Sequence, residues 1–191
     1  MIWSKKMDIP EALTLQNVLE MEREWKLKVS YDLGCGLGKD TVSLLKKDWK
    51  VNAVDQRDDA REWFNENAKP YHKQLNFIQK SFTDIKWQPS ELINATFSLP
   101  FCPRDKFASL WHDIRKSLIT DGIFCGQLFG KNDEWKDNAE LIFHSREEIK
   151  LLTQGFEIIQ FIEIEKEAPS IESPTKHWHF FHLVLKKSGG L

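Results

Sequence analysis

Val29-Ser30-Tyr31-Asp32-Leu33-Gly34-Cys35-Gly36-Leu37-Gly38 has the pattern of a β-strand that ends in a tight glycine turn. Three glycines at alternate positions remove side chains from the turn, which leads directly into a helical pattern from Lys39 to Lys47. A ligand can touch bare backbone at such a turn, close to the positive end of a helix dipole. The stretch therefore predicts a ligand site at the end of the first strand.

A second apolar run, Val51-Asn52-Ala53-Val54, ends in Asp55, seventeen residues past Gly38. A carboxylate at the tip of the second strand suits the two vicinal hydroxyls of a ribose. The glycine turn and Asp55 together predict an adenosine-containing cofactor.

The spacing of the turn favours one class of cofactor. A dinucleotide fingerprint is G-x-G-x-x-G, whereas this turn is G-x-G-x-G and has an acid, Asp32, two residues before the first glycine. That acid would repel a pyrophosphate and attract an ammonium group. Asp-Leu-Gly-Cys-Gly-x-Gly followed by an acidic strand end resembles motif I of the class I S-adenosylmethionine (SAM) methyltransferases. A nicotinamide oxidoreductase is the less favoured alternative.

The resemblance implies a role for each part of the site. The turn would hold the methionine end of SAM, Asp32 would lie near the ammonium, and Asp55 would bind the ribose. In the family an acid after the third strand commonly meets the adenine; here it is Asp84, or the contact passes to Ser81 and the Phe82 backbone. Asn94 and Ala95 would face the sulfonium, and S-adenosyl-L-homocysteine would be the product. The predicted cofactor-binding residues are Asp32, Gly34, Cys35, Gly36, Gly38, Asp55, Gln56, Phe82, Asn94 and Ala95.

Bulk properties predict one globular domain. The chain has 191 residues, 41% hydrophobic and 29% charged, and no apolar run approaches bilayer length. We expect a leading helical segment over residues 1–27 and a frayed tail over 186–191. The three cysteines predict reduced thiols in a cytoplasmic protein, with Cys35 as a small packing residue because no base adjoins it. A net charge of -2 without a basic stripe argues against nucleic acid. We expect a monomer or a homodimer.

Hydrophobic periodicity predicts an α/β fold, a Rossmann-like doubly wound sheet of seven mostly parallel strands. The last two strands join without a helix, which favours one antiparallel strand near the C-terminus. Gly122 is expected to cap the fourth main helix. The predicted strands are 29–33, 51–54, 75–82, 92–97, 123–129, 156–165 and 178–185, and the predicted helices are 16–25, 39–47, 58–68, 107–118 and 145–152.

The loop after the fourth strand is where methyltransferases choose their acceptors. DNA amino-methylating enzymes carry Asp- or Asn-Pro-Pro-aromatic there, and this chain instead has Thr96-Phe97-Ser98-Leu99-Pro100-Phe101. The apolar, aromatic rim predicts a small organic acceptor or a soft nucleophile such as a thiol or a chalcogen oxyanion. The alternative is that Phe97, Leu99 and Phe101 pack under the next helix.

Histidines cluster late in the chain. His177 and His179 share one face of a predicted strand, and His182 takes the other. An antiparallel strand would start near the cofactor, so His177 or His179 is a candidate general base; a histidine that only completes the strand is equally consistent. No third ligand accompanies the His-x-His spacing, so we predict no metal. Lys131, Asp133 and Trp135 are candidates for a lid.

Over its whole length the chain resembles small bacterial SAM methyltransferases, loosely of the tellurite-resistance type. The supporting stretches are Asp32–Asp55, Asn94–Pro103, Gly126–Gly130 and Lys176–His179. The resemblance implies a methyl transfer to a small-molecule acceptor. A non-catalytic SAM-binding sensor or partner subunit is the alternative.

Overall fold

A computed structural model describes residues 12–170 and 173–189. The helices are α1 (Ala12–Leu19), α2 (Lys39–Leu45), α3 (Asp58–Asn67), α4 (Phe107–Ser117) and α5 (Arg146–Leu152). The strands are β1 (Val29–Leu33), β2 (Lys50–Val54), β3 (Leu75–Ile78), β4 (Ser90–Ala95), β5 (Leu118–Gly130), β6 (Phe143–His144), β7 (Phe156–Ala168) and β8 (Lys176–Lys187). Short 3-10 turns lie at Lys69–Tyr71 and Leu99–Phe101.

The strands form one sheet in the order β3-β2-β1-β4-β5-β8-β7, and β6 pairs with the end of β5. β8 is antiparallel to both of its neighbours, and the other pairings are parallel. The doubly wound α/β fold and its antiparallel strand near the C-terminus are thus confirmed. The strand number was wrong: the described residues form eight strands, because β6 is a two-residue strand without a hydrophobic pattern of its own.

Helices cover both faces of the sheet. Side chains of α1, α2 and α3 pack on one face, where Leu15, Leu44 and Phe64 are buried. Side chains of α4 and α5 pack on the other, where Trp111 and Ile149 are buried. Burial on both faces is the usual state of a largely parallel sheet. Because β1, β2, β4 and β5 are parallel, their carboxyl ends lie at the same edge of the sheet.

Several predicted boundaries move in the structure. β3 ends at Ile78 rather than residue 82, and β4 starts at Ser90 rather than 92. The cap at Gly122 was wrong, because α4 ends at Ser117 and Leu118 is already extended and paired with β4. The helix predicted over 145–152 opens with a capping box, in which Ser145 and Glu148 exchange backbone and side-chain hydrogen bonds.

The two ends of the chain also differ from the prediction. The leading helix ends at Leu19, earlier than predicted, and residues 1–11 of the predicted leading segment lie outside the described residues. Lys186 and Lys187 belong to β8 rather than to a frayed tail. β7, the outermost described strand, is interrupted by a bulge between Ile158 and Gln160. None of the helices in the described ranges has the length and apolar content that a bilayer crossing requires.

Candidate cofactor and acceptor site

The glycine turn follows β1 as predicted, with its backbone in the left-handed region. Gly34, Gly36 and Gly38 have φ of 68°, 53° and 72°, values that glycine adopts without the steric cost that a Cβ would bring. The amides of Gly34 and Cys35 both donate to the carbonyl of Val54, at 2.8 and 3.0 Å. These bonds hold the turn over the carboxyl end of β2.

The space beside the three glycines differs. A Cβ on Gly34 would lie 2.5 Å from Ser98 Cβ, and one on Gly38 would lie 2.5 Å from the Trp63 ring. A Cβ on Gly36 would meet only the Arg57 guanidinium, at 3.5 Å. The outer glycines therefore serve close packing, and the middle one leaves its backbone open to a ligand.

Asp55 is buried beside that open glycine. Its Oδ2 accepts the Gly36 amide at 2.9 Å, and its Oδ1 accepts the Arg57 amide at 3.0 Å. The Arg57 guanidinium lies 3.5 Å from Oδ1. The carboxylate predicted for a ribose and the turn predicted for the methionine end are therefore brought together.

Asp32 is sealed inside the protein rather than lying at the surface of the site. Its side chain is in the buried core, Oδ1 accepts the Asn94 amide at 2.9 Å, and Oδ2 accepts the Thr41 hydroxyl at 2.5 Å. Burial, followed by the charge of Asp40, raises the pKa of Asp32 to about 7. Asp32 therefore joins β1, β4 and α2 rather than meeting a ligand directly.

Asn94 connects Asp32 to a second carboxylate that the sequence reasoning missed. Asn94 Nδ2 also donates to Asp40 Oδ2 at 3.0 Å, and the Thr96 hydroxyl donates to the same oxygen at 2.6 Å. Asn94 Oδ1 accepts the Cys125 thiol at 3.3 Å, which fixes the direction of the amide. The signal for Asp40 was its place two residues after the third glycine, at the start of a helix.

The turn that is predicted to contact the adenine follows β3. Ser81 Oγ bonds Thr83 Oγ1 at 2.9 Å, and the Asp84 amide donates to the Ser81 carbonyl at 3.0 Å. Phe82 is half-buried against the core, whereas Asp84 and Gln56 are exposed. The adenine contacts therefore stay predictions.

The three cysteines are free thiols, each of them buried. Burial, with the nearby charges of Asp32 and Asp55, raises the pKa of Cys35 far above its ordinary value. A thiol in that state is not a nucleophile, which agrees with the interpretation of Cys35 as a packing residue.

The loop after β4 joins the glycine turn to a cluster of aromatic rings. Phe97 has φ 48°, an unusual value for a bulky residue, and its ring lies 5.1 Å from Phe180 and 6.0 Å from Trp178. Leu99 is fully buried, whereas Phe101 is 53% exposed, so only part of the loop packs into the core. We call the rings of Phe97, Phe101, Phe129, Trp135, Trp178 and Phe180 the aromatic wall.

A buried amide holds Phe97 in its left-handed conformation. Gln127 Oε1 accepts the Phe97 amide at 3.0 Å, and Gln127 Nε2 donates to Thr14 of α1 at 3.0 Å. The same nitrogen lies 3.1 Å from His182 Nδ1, and burial lowers the pKa of His182 to about 4. Neutral His182 accepts from Gln127, so the first helix, β8 and the loop after β4 share one hydrogen-bonded group.

The arrangement also allows a test of whether a SAM-like cofactor fits. Ser98 Oγ is buried beside Gly34 and has no hydrogen-bond partner among the described residues. A buried hydroxyl is seldom left unsatisfied. An orphaned hydroxyl, an open Gly36 and a carboxylate beside it are the features that an adenosyl amino acid requires, so the residues fit.

Comparison with known proteins agrees with this geometry. Residues 31–122 match the family model described as a methyltransferase domain. The matched segment makes up just under half of the chain and is similar to a methyltransferase domain. The match covers the glycine turn, Asp55 and the loop after β4, so it contains the whole predicted cofactor site.

Individual relatives share this domain. Carboxy-S-adenosyl-L-methionine synthase of Shewanella halifaxensis is 30% identical over 112 residues, which cover 54% of this chain and 46% of that protein. The chain therefore spans about half the length of the synthase.

Solved structures share the fold. TehB from Haemophilus influenzae matches with a TM-score of 0.78 at 13% identity, over 97% of this chain and 64% of that one. The 1,6-didemethyltoxoflavin-N1-methyltransferase of Burkholderia thailandensis, solved with S-adenosylhomocysteine, has a TM-score of 0.68 at 17% identity, over 94% of this chain and 77% of that one. At these identities the likeness shows a shared fold alone.

The histidines predicted for catalysis lie at the same edge of the sheet as the glycine turn, but at a distance from it. β4 ends opposite Gly126, whereas the His179 ring lies against Gly130, four residues and about 13 Å further along β5. His179 Nδ1 accepts the Asn132 amide at 3.0 Å, and Nε2 lies 3.0 Å from Glu163. Both of its ring nitrogens are thus engaged.

His177 has a similar arrangement nearer the surface. Its ring nitrogens lie 2.6 Å from Glu167 and 3.1 Å from Glu165 on β7. These two glutamates raise the pKa of His177. Its catalytic role, like that of His179, stays a prediction, and within the described ranges no group of three metal-binding side chains comes together around either histidine.

The residues predicted for a lid are held by a buried ion pair. Lys176 Nζ lies 2.5 Å from Asp133 Oδ1, and both side chains are completely buried. The ammonium also lies 3.8 Å from the centre of the Trp178 ring and 4.3 Å from that of Trp135. Asp133 accepts the amides of Trp135 and His179 as well, so this segment is fastened to the start of β8.

Proposed function

We propose that this chain is a SAM-dependent methyltransferase that methylates a small-molecule acceptor. The observation that carries the proposal is the hydrogen bond from the Gly36 amide to Asp55, which joins the open glycine to a carboxylate at the end of β2. An adenosyl amino acid needs both a bare backbone for its methionine end and an acceptor for its ribose hydroxyls.

Different residues of the site would contact different parts of the cofactor. The turn from Gly34 to Gly38, with Cys35, would contact the methionine end through its backbone, and Asp55 with Gln56 would bind the ribose. Phe82 would line the adenine, and Asn94 with Ala95 would lie near the sulfur. When bound, SAM supplies a charged sulfonium whose methyl group is displaced in line by a nucleophile, so alignment is what the protein must contribute.

The aromatic wall supports a small acceptor. Phe97 follows the end of β4 and connects the glycine turn, through Ser98, to the rings of Phe129 and Trp178. Lys176 beneath these rings is neutralised by Asp133, so the wall carries no free charge of its own. Phe129, Trp178 and Phe180 are buried, so an acceptor would meet the wall at the accessible rings of Phe97, Phe101 and Trp135. Apolar rings of this kind suit an uncharged, soft or aromatic acceptor.

Neither His177 nor His179 is assigned as a general base. Both ring nitrogens of His177 and of His179 already have partners, so the proposal does not depend on either histidine. A soft nucleophile that is ionised at neutral pH, such as a thiolate, needs no base.

Binding is tested first, by isothermal titration calorimetry with S-adenosylhomocysteine and with NADH. We expect S-adenosylhomocysteine to bind and NADH not to bind. Gly36→Val should abolish the binding because it fills the open backbone, and Asp55→Ala should weaken it. Glu62→Ala, an exposed position on the neighbouring helix α3, is the matched control and should bind as the wild type does. Unchanged affinity in both site variants would reject the cofactor assignment.

Turnover is tested next, by release of S-adenosylhomocysteine from SAM in the presence of thiols, selenite, tellurite and small amines. Product formed with a member of this panel and absent in Gly36→Val supports the transferase. Binding of S-adenosylhomocysteine without turnover on any acceptor favours the non-catalytic alternative, a SAM-binding sensor or partner subunit.

A further inference from the structure

We infer that Asp40, and not Asp32, is the carboxylate that binds the ammonium group at the amino-acid end of the cofactor. The inference rests on the proposed function and names a residue of its site. Asp40 lies in the first turn of α2, two residues after Gly38, and its side chain is half-buried.

Asp32 is sealed away from a ligand. The Asn94 amide donates to Oδ1, the Thr41 hydroxyl donates to Oδ2, and the side chain is 2% exposed. Each carboxylate oxygen can accept a further hydrogen bond, but a ligand would have to open the buried packing to reach either oxygen of Asp32.

Asp40 has one oxygen fixed and one available. The Asn94 amide and the Thr96 hydroxyl both donate to Oδ2, at 3.0 and 2.6 Å, which sets the direction of the carboxylate. In the described part of the chain, Oδ1 receives no hydrogen bond and forms no ion pair. The carboxylate is therefore oriented from behind while its other oxygen remains ready for a donor.

The charges around Asp40 call for a cation. Asp32 and Asp40 share a single amide group, and over residues 12–170 and 173–189 neither forms an ion pair with Lys, Arg or His. The other groups facing them are neutral: the hydroxyls of Thr41 and Thr96 and the buried thiol of Cys125. Cys35 is also a protonated thiol, since Asp32 and burial raise its pKa. An ammonium at Asp40 Oδ1 would supply the missing positive charge.

The experiment compares two ligands by calorimetry. S-adenosylhomocysteine carries the ammonium, whereas 5′-methylthioadenosine has the same adenosine and sulfur without the amino-acid end. Asp40→Asn should weaken S-adenosylhomocysteine by roughly tenfold to a hundredfold, the range for a hydrogen bond to a charged group, and leave 5′-methylthioadenosine within about twofold. The exposed Asp105→Asn serves as the control and should change neither affinity.

The remaining outcomes are decisive in the other direction. Unchanged S-adenosylhomocysteine affinity in Asp40→Asn overturns the inference and leaves the proposed function standing. An equal loss for both ligands also overturns it, because that pattern indicates a distorted turn. A wild-type protein that binds neither ligand overturns the proposed function, and the inference with it.

A proton measurement gives a second, independent readout. A cation at Asp40 removes part of the repulsion that disfavours ionised Asp32, so binding of S-adenosylhomocysteine near pH 7 should release protons. Binding heats measured in phosphate and in Tris buffers should differ for the wild type and agree for Asp32→Asn. Equal heats in both buffers for the wild type would contradict the ammonium at Asp40.

Discussion

Two stretches of the same sheet edge behave in opposite ways. At the carboxyl ends of β1 and β2, the Gly36 backbone is open, Ser98 Oγ has no described partner, and Asp40 offers one oxygen. At the carboxyl end of β5, where β8 begins, Asp133 accepts from the Lys176 ammonium and from the His179 amide, and His179 Nδ1 accepts the Asn132 amide.

The two stretches are distinguished by whether their buried polar groups have hydrogen-bond partners inside the protein, and not by the types of residue they contain. Buried polar groups normally have partners inside the protein. Among the residues that the structure describes, Ser98 Oγ has none and lies beside the open glycine turn, which distinguishes it from unpartnered groups elsewhere such as Ser90 Oγ and His144 Nδ1. By that criterion the glycine turn is the candidate for ligand binding. The histidine-rich start of β8, whose side chains have partners among the described residues, is the candidate for a structural role.

Lys176→Met should cause the greatest loss of stability among single substitutions at these two stretches. Removing one member of a fully buried ion pair should cost about 3–5 kcal/mol of the free energy of unfolding, because Asp133 is left buried and unpaired. Urea denaturation measures the loss. The double variant Lys176→Met with Asp133→Leu should regain much of it, since no charge is then stranded.

The same variant tests where the ligand binds. While Lys176→Met is folded, its affinity for S-adenosylhomocysteine should match that of the wild type. A folded variant that has lost cofactor binding would show that the two stretches are not separate.

A smaller effect is expected from Asp32→Asn. The pKa of Asp32 is raised from 3.8 to about 7, so its neutral form is favoured in the folded state. Its contribution to stability is present below about pH 4 and is lost as the pH rises through 7. The wild type should therefore lose stability relative to Asp32→Asn between pH 5 and pH 8.5, as thermal unfolding would record. A constant difference across that range would contradict the raised pKa.

The smallest effect is expected from His177→Gln at the exposed end of the structural stretch. Glu167 and Glu165 raise the pKa of His177, so its stabilising charge pairing is present below pH 6.5 and is lost at higher pH. The variant should melt slightly below the wild type at pH 6 and together with it at pH 9. A large loss of methyl transfer in this variant would instead restore the catalytic prediction for His177.

The part of the site that depends on local sequence could be predicted. The glycine turn and Asp55 are each set by a strand end and by the residues beside it, so their placement follows from spacing alone. The partners of His177 could not be predicted, because Glu165 and Glu167 meet it only through the register of β7 against β8. Asp40 was missed for a related reason: its second oxygen is oriented by Asn94 and Thr96, which are more than fifty positions away in the chain.

For the fold, too, features set by local sequence could be predicted, whereas features set by distant residues could not. Strands that are buried on both faces have apolar runs long enough to recognise, and their order follows from the alternation with helices. β6 has only two residues and pairs with β5 beyond the end of β4, so its existence depends on neighbours and not on its own pattern.

β7 forms one of the two edges of the sheet, which matters for association between copies of the protein at high concentration. Three isoleucines on it, Ile158, Ile159 and Ile162, are at least 40% exposed, and a bare sheet edge with such residues invites other chains to add a strand. The bulge after Ile158 interrupts the regular backbone that such an addition needs. The four glutamates of the strand pair with the side chains of Arg146, His177, His179 and Lys186, which places charged side chains along the same edge. Both features hinder the addition of a second chain.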